Sequence, residues 1–435
     1  MLLIGITLLL LGGCVSGAPQ TTKAFSFDFL MPEVQPKQPD TYLCHGLDAG
    51  DEDVYITEFL PKANKDVAHH ILLYGCEEPG STDVVWNCGE MAETKSQYET
   101  ASVCARGSQI LYAWAMDAPK LKLPKDVGFK VGGKTGVNSL VLQVHYKNVS
   151  SFLEPANKKD SSGLILTMTY KPQPRRAGVY LMVTGGRIPA HSIEYLEAAC
   201  DFPDSDLEIH PFAFRTHAHK LGRVISGYRV RHQQWQEIGR QDPRKPQMFY
   251  NVTDPEMTIK NGDILAARCT MENTNNNSVS VGPTQNDEMC NFYIMYYVDG
   301  DHLLQPNVCF KQGAPGWYWQ DYPDQRGLNL AAVPATASVV PDSGRALEKT
   351  TQDGDTDTDT DGQDMDGENV DEGPEDSEEE ALDDLLDQAV ANMEPDEVEQ
   401  LVAEALAAQD MRPDLADPRQ NRLAWLNSRL YDDSY

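Results

Sequence analysis

From Ala24 to Leu330 the chain contains no long apolar pattern of helical period, and this constrains the fold more than any other feature. Short runs of Val, Ile, Leu, Tyr and Phe alternate with Gly, Pro, Asn and Asp turns. Examples are Ser139–Val149, Gly178–Val183, Gly227–Val230 and Asn291–Val298. Apolar runs of this length, bounded by turn residues, read as strands. Strands this short and numerous pack as β-sandwiches, because each sheet has an apolar face to bury. Lys171-Pro172-Gln173-Pro174 is a natural link. The expected fold is therefore all-β: two tandem antiparallel, jelly-roll-like β-sandwich domains over 24–170 and 171–330. A length of 435 residues also suits about two cores better than one.

From about Thr336 to Tyr435 the composition changes to Asp, Glu, Gly and Thr, and aromatic residues vanish until Trp425. Such a segment has too little apolar surface to order itself, so a disordered acidic tail is expected over 336–435. Thr351–Tyr435 holds 28 Asp and Glu against four Arg, which is −24 of the formal −31. The rest carries about −7, ordinary for a soluble body. Neither part has a basic footprint, which argues against nucleic acid as a partner.

Residues 1–18 read as a signal peptide. Leu2–Leu11 is too short to span a bilayer, and Cys14-Val15-Ser16-Gly17-Ala18 offers small residues for cleavage. Leu11-Gly12-Gly13-Cys14 also resembles a bacterial lipidation site, although no basic flank precedes it. No later segment reaches the length of a membrane helix. Beyond Cys14 stand Cys44, Cys76, Cys88, Cys104, Cys200, Cys269, Cys290 and Cys309, an even set that an oxidising compartment could pair fully. Eight cysteines allow 105 pairings, so the count alone chooses none. Asn148, Asn251 and Asn276 open glycosylation sequons.

The chemistry rests on histidine. In Arg215-Thr216-His217-Ala218-His219 strand parity sets Arg215, His217 and His219 on one side. Two imidazoles at i and i+2 make a chelate, though in isolation they are equally two surface histidines. The same parity in Met289–Met295 groups Met289, Asn291, Tyr293 and Met295 against Phe292, Ile294 and Tyr296. A thioether beside two imidazoles suits copper and serves zinc or magnesium poorly. Alone, Met289 reads as core packing. His69 and His70 are adjacent, so both reach one metal only at a strand end or a bulge. His145 shares a face with Gln143, opposite the apolar Leu140, Leu142, Val144 and Tyr146.

Taken together, these motifs are far more specific. His69-His70, Gln143-Val144-His145-Tyr146, His217-Ala218-His219-Lys220-Leu221-Gly222 and Asp287-Glu288-Met289-Cys290-Asn291 resemble the copper type II, ascorbate-dependent monooxygenases. Leu111–Ala115, Val131-Gly132-Gly133, Gly227–Arg231, Gly262–Cys269 and Tyr293–Tyr297 extend the likeness over about Phe25 to Phe310. It is nearest to the peptidylglycine α-hydroxylating branch. The resemblance implies two copper ions: an electron-storing one on His69, His70 and His145, and an oxygen-activating, catalytic one on His217, His219 and Met289. It implies ascorbate as reductant, O2 as co-substrate, and glycine-extended peptides as substrates in peptide C-terminal amidation. Arg215 would fork onto the peptide carboxylate, with Asn291 and Tyr293 adding hydrogen bonds. The implied disulfides are Cys44–Cys88, Cys76–Cys104, Cys200–Cys309 and Cys269–Cys290. The implied location is the secretory granule lumen or the extracellular space.

Some features depart from that pattern. Relatives carry a further disulfide to the end of the first domain, where Asp160-Ser161-Ser162-Gly163 here has no Cys. No β-propeller lyase sequence follows the copper domains, so a separate peptidyl-hydroxyglycine lyase is the expected downstream partner. Asp357–Gly362 followed by Glu368 satisfies the EF-hand loop spacing, but Gly354 and Gly373-Pro374 frustrate both flanking helices. Two alternatives stay open. One is a dopamine β-monooxygenase-like hydroxylase of the same superfamily; the other is a secreted copper-binding module without catalysis.

Overall fold

A computed structural model of the chain describes residues 23–89, 97–115, 117–204, 206–282 and 286–350. The signal segment, the acidic stretch from Thr351 and its EF-hand-like loop lie outside the described residues.

The principal strands of the first half are β1 (Phe25–Leu30), β2 (Thr41–Asp48), β3 (Val54–Lys62), β4 (His70–Cys76), β5 (Gln109–Ala115), β6 (Val127–Val131), β7 (Ser139–Tyr146) and β8 (Gly163–Thr169). Those of the second half are β9 (Arg175–Thr184), β10 (Ser192–Asp201), β11 (Glu208–His217), β12 (Gly222–Arg231), β13 (Gln234–Gln241), β14 (Ile264–Asn273), β15 (Asn291–Asp299) and β16 (Val308–Lys311). The fold is all-β, as the turn-punctuated apolar runs require. In the first half β1-β8-β3-β6 faces the sheet β2-β7-β4-β5. In the second, β9-β15-β11 faces β10-β14-β12-β13.

The two inner sheets are one. β6 pairs in parallel with β9 through Val127↔Arg175 and Gly128↔Arg176, so an 11-stranded sheet runs across both halves. Period-2 alternation then gives each central strand two buried faces. On β15, Phe292, Ile294 and Tyr296 enter the core of the second sandwich, whereas Tyr293 and Met295 enter the core that fills the first. Ala177, Val179, Leu181 and Val183 of β9 also reach that first core.

The eight cysteines form Cys44–Cys88, Cys76–Cys104, Cys200–Cys309 and Cys269–Cys290, each within one half. Where relatives are expected to carry another staple, Asp160 is buried and hydrogen-bonded. Tyr146 donates to it at 2.6 Å and the Ser162 hydroxyl at 2.7 Å.

The packed body continues past the boundary that composition drew near Leu330. Trp319, Tyr322, Leu328 and Ala337 cover Tyr228, Val230, Ile264 and Ala266 on the outer face of β10-β14-β12-β13. Val340 and Leu347 are buried as well. These few apolar residues are scattered among polar ones without a period, so composition could not separate this strap from the acidic stretch that follows. Asn148, Asn251 and Asn276 are all exposed.

Candidate metal centre

The cross-strand register assembles the first cluster. β7 pairs with β4 so that His145 lies opposite His70, and with β2 so that His145 lies opposite Tyr42. His70 is the first residue of β4, and His69, just outside it, donates its backbone N–H to the His145 carbonyl at 2.8 Å. This is the strand-end condition under which adjacent histidines can converge. The rings of His69, His70 and His145 lie 4.8–5.5 Å apart by their centroids. One ligand nitrogen from each falls within 4.8 Å of the others.

The electrostatics favour a metal over protons. Burial, with Lys147 and His219 nearby, holds His69 down to about 4. Burial, with His69 and Lys147 nearby, holds His145 down to about 3. Burial also keeps His70 well below the ordinary imidazole range, helped by His145 and His69. Neutral imidazoles carry free lone pairs. His69 Nδ1 and His145 Nδ1 are buried without any hydrogen-bond partner, an arrangement that costs free energy unless a ligand takes them up. The donor set therefore fits a bound metal.

The second cluster stands at the end of β11. β11 pairs with β15 so that Arg215 faces Tyr293 and His217 faces Asn291. Phe214 and Ala218 point into the second core, leaving Arg215 and His217 on the opposite face, as parity required. The His217 and His219 rings lie 5.4 Å apart. Burial and the Arg215 charge keep His217 well below the usual imidazole range. Each ring has its Nδ1 engaged. His217 Nδ1 is 2.6 Å from Gln247 Oε1, and His219 Nδ1 is 2.9 Å from the Asp287 carbonyl. The free nitrogen of each is thus Nε2, and the outer hydrogen bond sets the tautomer.

Glu288 ties Met289 to this pair. Its buried carboxylate accepts the backbone N–H of His219 at 2.8 Å and of Met289 at 3.1 Å, and those of Lys220 and Leu221 as well. Cys290, bonded to Cys269 on β14, fixes the chain on the other side of Met289.

Arg215 is 2% exposed and no described carboxylate pairs with it. Burial lowers its guanidinium, and the groups that oppose this are the hydroxyls of Tyr293, Tyr112 and Tyr74. It donates Nε–H to the Gln247 carbonyl at 3.0 Å and stacks over the Tyr293 ring at 5.1 Å. Asn291 donates to the Tyr293 hydroxyl at 3.2 Å. A buried cation without an anion is expensive, and a carboxylate from outside would relieve it. The two clusters face one another: the His70 and His217 rings are 6.5 Å apart.

Gln247, Glu288, Asp40 and Tyr42 were not singled out from sequence. Glu288 adjoins Met289 and could have been suspected from that. Gln247 follows the Pro243–Pro246 segment with no periodicity to mark it, Asp40 precedes β2, and Tyr42 is only the second residue of that strand.

Two family models match the chain. The N-terminal domain of the copper type II ascorbate-dependent monooxygenases matches residues 27–152, and the C-terminal domain of the same family matches residues 175–322. The peptidyl-glycine alpha-amidating monooxygenase A of Xenopus laevis is 42% identical over 314 residues, covering 71% of this chain and 32% of the relative. The peptidylglycine alpha-amidating monooxygenase of Rattus norvegicus is 42% identical over 304 residues, covering 69% and 30%. The dopamine beta-hydroxylase of Homo sapiens is 28% identical over 295 residues, covering 63% and 46%. The chain thus spans about a third of the length of the amidating relatives it matches.

Proposed function

The chain belongs to the copper type II, ascorbate-dependent monooxygenase family, and from that premise we propose that it hydroxylates the α-carbon of the C-terminal glycine of peptides, the first step of C-terminal amidation. The observation that carries the reading is Arg215: a buried guanidinium with no anion among the described residues, two residues from His217 on the same strand face and beside Tyr293 and Asn291. A peptide carboxylate answers that charge; a phenethylamine, the substrate class of the runner-up reading, does not. The 42% identity to amidating enzymes against 28% to dopamine beta-hydroxylase supports the same choice.

In this reading His69, His70 and His145 hold one copper, and His217, His219 and Met289 hold the other. Bound copper supplies one-electron chemistry, with ascorbate as reductant and O2 as co-substrate. The protein's part is binding and orientation. Arg215 grips the carboxylate bidentately, and Tyr293 and Asn291 direct hydrogen bonds to it. Because Arg215 and His217 sit two residues apart on one face of β11, the anchored glycine lies beside the oxygen-activating centre. Fixing the reacting carbon there converts encounter into a near-intramolecular step. The α-hydroxyglycine product calls for a dealkylating lyase as downstream partner. Four disulfides point to folding in an oxidising compartment, and we place the enzyme in the secretory granule lumen or outside the cell.

The test is copper reconstitution followed by turnover. Two copper ions per chain and ascorbate-dependent hydroxylation of a glycine-extended peptide are expected. Preference for a phenethylamine would favour the runner-up. Copper uptake without O2 consumption would leave a binding module.

A further inference from the structure

We propose that Asp40 sets the redox character of the three-histidine centre by holding a negative charge on the outer nitrogen of His145; the inference rests on the copper reading above. Asp40 Oδ1 lies 3.2 Å from His145 Nε2, with the two side chains 11% and 6% exposed. The Tyr42 ring stacks flat on the same imidazole, centroids 4.0 Å apart and planes 6° apart. His145 is thus clamped on its face and at Nε2. With Nε2–H donated to Asp40, the lone pair stays on Nδ1, the buried and unpartnered atom. A carboxylate behind a ligand imidazole fixes its tautomer and raises its basicity.

At the other centre no described carboxylate stands behind a ligand imidazole, and the buried Glu288 carboxylate there is taken up by backbone N–H groups. The outer nitrogens of His217 and His219 meet a side-chain amide oxygen and a backbone carbonyl. Among the described residues His145 is the one ligand histidine paired with a carboxylate. A fixed negative charge stabilises Cu(II) more than Cu(I), because the more highly charged ion gains more from it. Asp40 therefore lowers the potential of the couple Cu(II) + e⁻ ⇌ Cu(I) at this centre, while the Met289 thioether favours Cu(I) at the other. An electron that ascorbate gives to the first centre is then released readily to the second. The direction of transfer is built into the atoms behind the ligands as well as into the ligands.

Asp40 sits at φ +55, a conformation that Asn adopts as well as Asp and that costs Gly nothing. Asp40→Asn keeps the turn and the acceptor oxygen and removes only the charge. Asp40→Gly removes the whole group and serves as the second variant should Asn perturb folding. Both belong in a full-length His219→Ala background, where the three-histidine set is the one complete centre. Cu(II) and Cu(I) affinities are measured by chelator competition, and the potential by titration of the Cu(II) paramagnetic signal. The expected result is Cu(II) binding weakened about 10- to 100-fold, Cu(I) binding nearly unchanged, and a raised potential. Equal weakening of both states, or no change in either, overturns the proposal, since a merely structural Asp40 would not discriminate between them. If the Asp40-containing background protein binds no copper, it is the copper reading that falls.

Discussion

Met289 and Glu288 are neighbours with different tasks, and substitution separates them. Met289→Ile conserves bulk, so the packing loss is about 1 kcal/mol. What goes is the soft sulfur that suits Cu(I). Hydroxylation should be abolished while the fold and the His69/His70/His145 copper persist; near-normal turnover in a folded variant would remove Met289 from the ligand set. Glu288→Gln should do the reverse in part. Four backbone N–H groups converge on this one buried carboxylate. The amide supplies one acceptor oxygen and turns an N–H₂ against donors, at a cost of about 2–4 kcal/mol. The thermal midpoint should fall, and copper at the methionine-containing centre should be lost before copper at the other. A variant as stable as the parent would show that the clasp is dispensable. At Arg215 the sign differs again. Arg215→Met removes a buried cation that no described carboxylate neutralises, so stability should hold or rise. Affinity for a glycine-extended peptide should fall by roughly 2 kcal/mol or more. Unchanged peptide affinity would rule out Arg215 as the anchor.

The element that most changes the picture is the strap that closes the described chain. Ser226 donates to the Ala337 carbonyl at 3.0 Å, Thr270 to the Ser338 hydroxyl at 2.9 Å, and Tyr195 to the Leu347 carbonyl at 2.8 Å. Lys349 pairs with Glu194 at 2.9 Å, and Thr350 exchanges hydrogen bonds with Ile193. Composition assigned this segment to the tail because a narrow strap needs only an occasional apolar anchor. A stop after Thr350 should leave stability and turnover unchanged. A stop after Thr336 uncovers the Tyr228 and Trp319 face and discards Ala337, Val340 and Leu347, at about 2–4 kcal/mol. Comparing the two thermal midpoints decides the matter: equal values would mean the strap contributes nothing.

At the scale of the whole molecule, the halves share more than a linker. Beyond the β6–β9 pairing, Arg176 donates to the Asp301 carbonyl at 2.8 Å and to the Thr135 carbonyl at 3.4 Å. Lys130 bridges Asp53 at 3.0 Å and Asp301 at 3.5 Å. Ala213, Phe249, Tyr293 and Met295 pack in the core of the first half. Removing either half would leave a long apolar sheet edge and an open core. Calorimetry should therefore give one cooperative transition, and two well-separated transitions would contradict the shared core. Arg215, His217 and Tyr293 stand in this same seam, so the proposed substrate anchor depends on the joint as much as on its own strand.

The sequence by itself determined the strand content, the candidate ligand residues and the faces they share, because side-chain alternation along a strand is a local rule. Parity put Arg215 with His217 and Asn291 with Tyr293 before any fold was known, and the adjacency of His69 and His70 already called for a strand end or a bulge. Tertiary structure decided what local rules cannot reach. Register brought His145 opposite His70, and the parallel β6–β9 pair merged two sandwiches into one sheet. The outer partners Asp40, Gln247 and Glu288 belong to this second group. Each meets its histidine or its loop from tens of residues away, at a position outside the named strands where no period marks a polar side chain.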